Sequence, residues 1–235
     1  MGSKRYDQAL ATVERNKAYA LPEAVALLQG MPKAKFDETV ELSISLGIDP
    51  EQTDQAIRGT VILPHGTGTT KRVLVFCKGE QELLAKRAGA EYVGSTDLIE
   101  KIQGGWLEFD VVVATPEMMR EVSRLGKVFG PRGLMPNPKA GTVTEDVAKA
   151  IEEVKRGKVE FKMDKLANLH VVIGKRSFEA SQLVDNASAL LQAVVRAKPS
   201  SLKGSFMHRV SLSSTMSPGV FVDMQPFLDA ETTES

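Results

Sequence analysis

Val73-Leu74-Val75-Phe76 is an unbroken apolar run, whereas Val40-Glu41-Leu42-Ser43-Ile44-Ser45-Leu46-Gly47-Ile48 alternates apolar with small or polar residues at every step. A strand that is apolar on both faces has to be covered on both, as in a parallel sheet between helices; an alternating strand has one face on a core and the other open. The chain therefore changes architecture between the two. Downstream of Arg72 the first style persists, with apolar runs separated by helices: Glu80 to Ala88, then Glu91 to Val93, a helix over Thr96 to Gln103, and Phe109 to Ala114. A Met-rich helix follows Pro116 and a last helix spans Glu145 to Arg156. This is the grammar of βαβ units.

Both flanks keep the alternating style. Helices over Tyr6 to Asn16 and Pro22 to Leu28 precede the first strand, Asp49-Pro50 ends it, and a strand over Ile57 to Leu63 runs into Pro64-His65-Gly66-Thr67-Gly68-Thr69, where periodicity stops. Past Gly157 come strands at Val159 to Met163 and His170 to Ile173. An amphipathic helix carrying Leu183, Val184, Ala187, Leu190, Leu191, Val194 and Val195 at spacings of three and four follows, then strands at Phe206 to Leu212 and Gly219 to Asp223. Neither flank has enough elements to fold alone, so the expected fold combines α/β and α+β parts in two domains. Residues 1–66 and 158–235 form a split α+β domain with a mainly antiparallel sheet, and residues 67–157 form an inserted, Rossmann-like βαβ domain of three layers. Paired linkers near Thr67 and Gly157 would act as a hinge, and the acidic tail Asp229 to Ser235 reads as disordered.

Composition removes whole classes of function. With 235 residues, 42% hydrophobic and 26% charged, the chain is neither disordered nor fibrous. Thirty basic against 30 acidic residues give no net charge, so a polyanion site must be local. Cys77 has no partner for an intramolecular disulfide, and no apolar stretch suits a signal or a membrane span, which points to the cytoplasm. Met1-Gly2-Ser3 suggests myristoylation, but Tyr6 stands where Ser or Thr is required. His65, His170 and His208 are isolated, so no metal site is expected.

A βαβ domain invites a nucleotide, yet no Gly-x-Gly-x-x-Gly follows a strand and no phosphate-loop sequence occurs, so no cofactor is expected. No nucleophile elbow or carboxylate pair suggests catalysis either; a nucleotide-dependent enzyme built on the βαβ domain stays as the alternative reading. Two patches suit RNA better. Gly126 to Thr142 reads as a long loop between helices, where Arg124, Lys127, Arg132 and Lys139 meet no acid before Glu145, although a rigid loop with solvated charges fits as well. In the split domain, Lys33, Lys35 and Phe36 lead into the alternating strand, whose non-core face is expected to offer Glu38, Thr39, Glu41 and Ser43. Ser211, Ser213, Ser214, Thr215 and Met216 crowd the last turn. Hydroxyls, lysines and an exposed Phe or Met supply donors for phosphate and 2′-OH groups and apolar surface for sugars and bases. Against this, Phe36 and Met216 are also common core fillers, Glu38 repels phosphate unless it accepts from the RNA, and Asp164 with Lys165 and His170 reads from spacing as ordinary surface.

Lys35-Phe36-Asp37-Glu38-Thr39-Val40-Glu41, Arg58-Gly59-Thr60-Val61 with Leu63-Pro64-His65-Gly66-Thr67-Gly68, and Gly130-Pro131-Arg132-Gly133-Leu134-Met135-Pro136-Asn137-Pro138 together resemble the bacterial ribosomal protein L-one family over about residues 5 to 223. The resemblance implies a non-enzymatic protein, monomeric off the ribosome, whose split domain binds large-subunit ribosomal RNA at the mobile stalk beside the tRNA exit site. It implies an outer domain facing exit-site tRNA, assistance in releasing deacylated tRNA, and repression of the protein's own operon messenger RNA. On the same basis Lys35, Phe36, Glu38, Thr39, Asp164, His170, Ser214, Thr215 and Met216 would form the RNA face. Ser217 departs from the family pattern, which has glycine there; it either crowds the RNA or adds a hydroxyl donor to the face. The flanks hold 16 basic and 17 acidic residues and the middle 14 and 13, so recognition is expected to rest on shape and hydrogen bonds rather than bulk charge.

Overall fold

The fold is taken from a computed structural model that describes residues 3–14, 16–50, 56–199, 202 and 204–227. The elements run α1 (Lys4–Ala11), β1 (Ala18–Tyr19), α2 (Leu21–Gly30), β2 (Thr39–Leu46), β3 (Arg58–Ile62), β4 (Val73–Phe76), α3 (Glu80–Arg87), β5 (Tyr92–Gly94) and α4 (Thr96–Gln103). They continue with β6 (Val111–Ala114), α5 (Met119–Val122), α6 (Gly126–Arg132), α7 (Val147–Lys155), β7 (Lys158–Lys162), β8 (Asn168–Lys175), α8 (Ala180–Arg196), β9 (Met207–Ser214) and β10 (Val220–Val222). The chain is mixed α/β and divides into two compact units, Met1–Gly68 with Val159–Ser235, and Thr69–Lys158. The tail expected to be disordered lies outside the described residues, as do Met1 and Gly2.

In the first unit a five-stranded sheet has the order β1-β10-β9-β2-β8, antiparallel throughout except for β1 against β10. The alternation in β2 is realised literally: Val40, Leu42, Ile44 and Leu46 are buried, and the residues between them are only half-buried. The inward residues meet α2 and the apolar stripe of α8, which includes Leu183, Ala187, Leu190 and Val194. Asn186 on that stripe is fully buried because it is fully used, accepting from the His65 N–H at 3.0 Å and donating to the carbonyls of Gly66 and Ile173 at 2.9 and 2.7 Å. It ties the segment after β3 to the sheet. β3 and β7 form a separate two-stranded ribbon. There the Phe161 ring lies so close over Gly59 that a Cβ would meet it at 2.5 Å, leaving room for glycine alone.

In the second unit the parallel sheet β5-β4-β6 is buried on both sides, and β4 is completely inaccessible. Val73, Val75 and Cys77 face Ala85 of α3 and Val147, Ile151 and Val154 of α7. Leu74 and Phe76 face Leu98, Ile99 and Ile102 of α4 and Phe129 of α6.

Two expectations need correction. The long loop expected from Gly126 to Thr142 is not one: its first part is α6, and a 3-10 turn forms at Pro138–Ala140. Gly126, Gly130 and Pro131 all disfavour helix, but the Phe129 ring is fully buried and packs edge-on to Phe109 at 5.9 Å. Burying such a ring contributes about 2–3 kcal/mol, enough to offset the weak propensity of one short helix. Gly133, at φ 67°, then ends α6 in the left-handed conformation. The first helix stops at Ala11 rather than Asn16, which sits at φ 73° and cannot continue it; β1, unforeseen, follows.

Candidate nucleic-acid interface

At one end of the first unit's sheet three segments meet on a single carboxylate. Glu38 is 1% exposed, which corrects its expected place on the open face of β2. It precedes β2 in phase with Val40 and Leu42, so the pleat turns it inward. A carboxylate there survives only if every lone pair is answered. Oε1 accepts from the Ala34 N–H at 2.8 Å and from Arg176 Nη1 at 2.9 Å, and Oε2 accepts from Ser214 Oγ at 2.6 Å and the Met216 N–H at 3.1 Å. Burial pushes its pKa up, but the Ser214 hydroxyl, the two backbone N–H groups and the Arg176 charge outweigh that and hold it below the ordinary carboxylate value.

Arg176, 5% exposed, completes the junction and was not anticipated from the sequence. Its Nη2 donates to Leu28 O at 3.0 Å and to Met31 O, and its backbone N–H donates to Glu38 O at 2.8 Å. The carbonyls left open where α2 ends are thus capped by a buried guanidinium. Arg176 and Glu38 together bind the end of α2, the loop before β2 and the β9–β10 turn into one body.

What that body leaves outside matters most. Asp37 is used by Ser177, which donates from its N–H at 3.1 Å and its Oγ at 2.8 Å. Both carboxylates of the loop are therefore tied down, while Lys33 and Lys35 are exposed and, among the described residues, make no ion pair. Phe36 is 55% exposed and Met216 47%, so neither fills the core. Thr39 and Thr215 bridge the strand ends, Thr39 N–H to Thr215 Oγ1 and Thr215 N–H to Thr39 O, each at 3.0 Å, and Lys175 Nζ reaches Thr39 Oγ1 at 2.9 Å. Ser214, expected as a surface hydroxyl, is 4% exposed and committed to Glu38. Ser217 Oγ accepts from the Ser214 N–H at 2.8 Å and donates to Pro218 O at 3.0 Å, so it stays inside its own turn.

The open sheet face continues from this end. Register aligns Phe221, Ser211, Ser43 and His170 in one row across β10, β9, β2 and β8, with Ser43 Oγ 3.0 Å from His170 Nδ1. Asp164 caps the β7–β8 turn by accepting from the Leu166 and Asn168 N–H groups at 2.8 Å, and these, the Asn168 bond foremost, lower its pKa. His170 Nε2 stands 3.8 Å from Asp164 Oδ2. Asp164 and His170 therefore form a group of their own on the β7–β8 side, beside the Ser43 hydroxyl.

In the second unit Arg124, Lys127, Arg132 and Lys139 are all exposed and, among the described residues, unpaired. Lys127 and Arg132 lie on α6, and the other two lie in the 3-10 turns at Ser123–Leu125 and Pro138–Ala140. Among the described residues no group of three His, Cys, Asp or Glu side chains could hold a metal, and no helix is long and apolar enough to cross a membrane.

A mixed α/β chain whose open face carries hydroxyls, two exposed lysines and the exposed Phe36 and Met216 fits a structural, non-enzymatic component of a ribonucleoprotein. Residues 27–218 match the Ribosomal protein L1p/L10e family, and the chain belongs to that family. It is similar to the large ribosomal subunit protein uL1 of Renibacterium salmoninarum, with 56% identity over 221 residues that cover 94% of each chain. The protein is accordingly a structural constituent of the ribosome and not an enzyme.

Proposed function

We propose that the protein binds large-subunit ribosomal RNA at the mobile stalk through the face built on Glu38 and Arg176. The observation that supports this best is the junction itself. It spends its acids internally and presents Lys35, Phe36, Thr39, Thr215 and Met216 outward, and the proposed face runs from there along the open sheet toward the other end of β2, where His170 pairs with Ser43 and Asp164 holds Asn168. In this reading Glu38, Ser214 and Ser217 shape the face, and Phe36 and Met216 supply apolar contact to riboses or bases.

The finer organisation belongs to the same proposal. A split α+β domain anchors the protein to RNA, and the inserted βαβ domain forms a hinged outer lobe. Arg124, Lys127, Arg132 and Lys139 offer a second RNA contact there, toward exit-site tRNA, and assist its release. The anchor also binds the protein's own operon messenger RNA and represses its translation, and off the ribosome the chain is a cytoplasmic monomer.

The test is binding of the full chain to a stalk-region ribosomal RNA fragment across a salt series, beside a scrambled RNA of equal length. Selective binding with a shallow salt slope is expected, because the face is rich in hydroxyls and holds few free cations. Equal, weak binding to both RNAs overturns the reading.

A further inference from the structure

A second guanidinium reaches the Glu38 carboxylate. Arg5, on α1, places Nη1 3.8 Å from Glu38 Oε1, the same oxygen that Arg176 holds at 2.9 Å. The two arginines are differently employed. Arg176 is buried and has its terminal nitrogens committed to Glu38 and to the carbonyls around the end of α2. The side chain of Arg5 is 26% exposed, stands beyond hydrogen-bond distance of Glu38, and donates no hydrogen bond among the described residues.

Glu38 does not need Arg5. Four donors already answer its two oxygens, and Arg176 already neutralises its charge. Arg5 is therefore surplus positive charge held at the rim by long-range attraction, with its donor fork unspent. On either side of it Lys4 is exposed and Tyr6 is 38% exposed. A planar fork of N–H groups with no protein acceptor, set beside a face of lysines, hydroxyls and exposed Phe and Met, matches a phosphate oxygen pair in geometry and charge.

We infer that Arg5 is a phosphate-contacting residue of the RNA face, so that α1 belongs to the binding surface and Lys4-Arg5-Tyr6 extends it beyond the segments that meet on Glu38. This rests on the proposed RNA-binding reading and adds a residue to it. Loss of one phosphate contact lowers the magnitude of the salt slope by about one unit, whereas loss of a merely structural arginine leaves that slope unchanged.

The experiment uses the full chain, its Arg5→Gln variant and the stalk RNA fragment. The variant is expected to bind about five- to tenfold more weakly at low salt, with a slope shallower by about one and an unchanged melting temperature. A second measurement needs no variant: phenylglyoxal modification of the native chain, read at Arg5 by mass spectrometry, should be suppressed by the stalk RNA and not by the scrambled RNA. An unchanged salt slope together with equal modification of Arg5 in both RNAs overturns the inference while leaving the RNA-binding reading in place. Failure of the native chain to prefer the stalk RNA overturns both. If Arg5→Gln lowers the melting temperature, protection of Arg5 in the native chain decides.

Discussion

The two units cover their sheets differently. The first packs α2 and α8 on one face and leaves the other to Ser211, Ser43 and His170; the second closes both faces, with Ala85 and Ile151 on one and Leu98 and Phe129 on the other. Covering both faces of a three-stranded sheet yields a core but no open sheet surface, so the second unit can meet a partner only through helix and turn residues such as Lys127 and Lys139. Leaving one face open yields a surface, but the strand ends must then be fixed some other way. In the first unit that task falls to a buried charge pair. The same division separates the effects expected of core and junction substitutions.

The largest effect is expected from Phe129→Ala, which empties a fully buried site and should cost about 4 kcal/mol. It should fall on the second unit alone. Cys77 reports this directly: it is inaccessible, and burial foremost, with the Glu82 charge, pushes its thiol up to about 11. Such a thiol reacts only when the unit opens. Alkylation at pH 8 should therefore accelerate strongly in Phe129→Ala while affinity for stalk RNA stays the same; loss of RNA affinity would show that the units are not energetically separate.

Next is Arg176→Met, which strands the Glu38 carboxylate and should cost about 3 kcal/mol. Here the pattern inverts. Urea denaturation followed by hydrogen exchange in β2 and β9 should show the first unit weakened, RNA affinity should fall more than tenfold, and Cys77 should label no faster. Adding Glu38→Gln should restore part of the stability, since an uncompensated charge is the main cost. If the double variant recovers stability but not RNA binding, the pair serves the shape of the face rather than the fold.

The strands were legible in the sequence because their period follows burial directly: alternation at Val40 to Leu46 and an unbroken run at Val73 to Phe76 each correspond to one pattern of covering. The site was less so. Phe36 and Met216 announce themselves as large apolar groups beside turn residues. Glu38 was misplaced because a carboxylate suggests solvent, yet its phase with Val40 carried the right answer, as did the phase of Ser214 with Leu212. Arg176 left no comparable signal. Its partners lie on α2 and the loop before β2, more than a hundred residues away, and no local pattern records a contact made only by the finished fold. α6 was hidden for a related reason: Gly126, Gly130 and Pro131 speak against helix locally, and the buried Phe129 ring overrides them.

Acid distinguishes the units more finely. Glu38 has a depressed pKa, so its contribution is complete above its ordinary value of 4.5 and is lost as pH falls through the lower folded value. The second unit has counterparts in Asp110, lowered chiefly by its hydrogen bond from Arg72, and in Glu91, where burial is outweighed by the Val73 N–H and Lys155. Both units should therefore weaken below about pH 4.5. Trp106, the single tryptophan, packs on Tyr92 and Phe109 and reports the second unit by fluorescence. Glu38→Gln should flatten the acid limb of exchange in β2 and leave the Trp106 transition where it is. A shift of both would mean that one cooperative unit is being titrated.

The smallest effect is expected at Ser217, whose hydroxyl stays inside its own turn. Ser217→Gly removes the oxygen that accepts from the Ser214 N–H. The backbone at Ser217 is not left-handed, so glycine brings no conformational relief and only adds freedom to the unfolded chain. The cost should be about 1 kcal/mol of stability in the first unit. RNA affinity should change less than about twofold, because the hydroxyl already donates to Pro218 O and is not offered outward. A clear gain in affinity would mean that the Ser217 side chain keeps RNA off the backbone of its turn, and a clear loss would mean that the hydroxyl leaves Pro218 to bond the RNA. Either result would move Ser217 from the scaffold that shapes the face to the face itself.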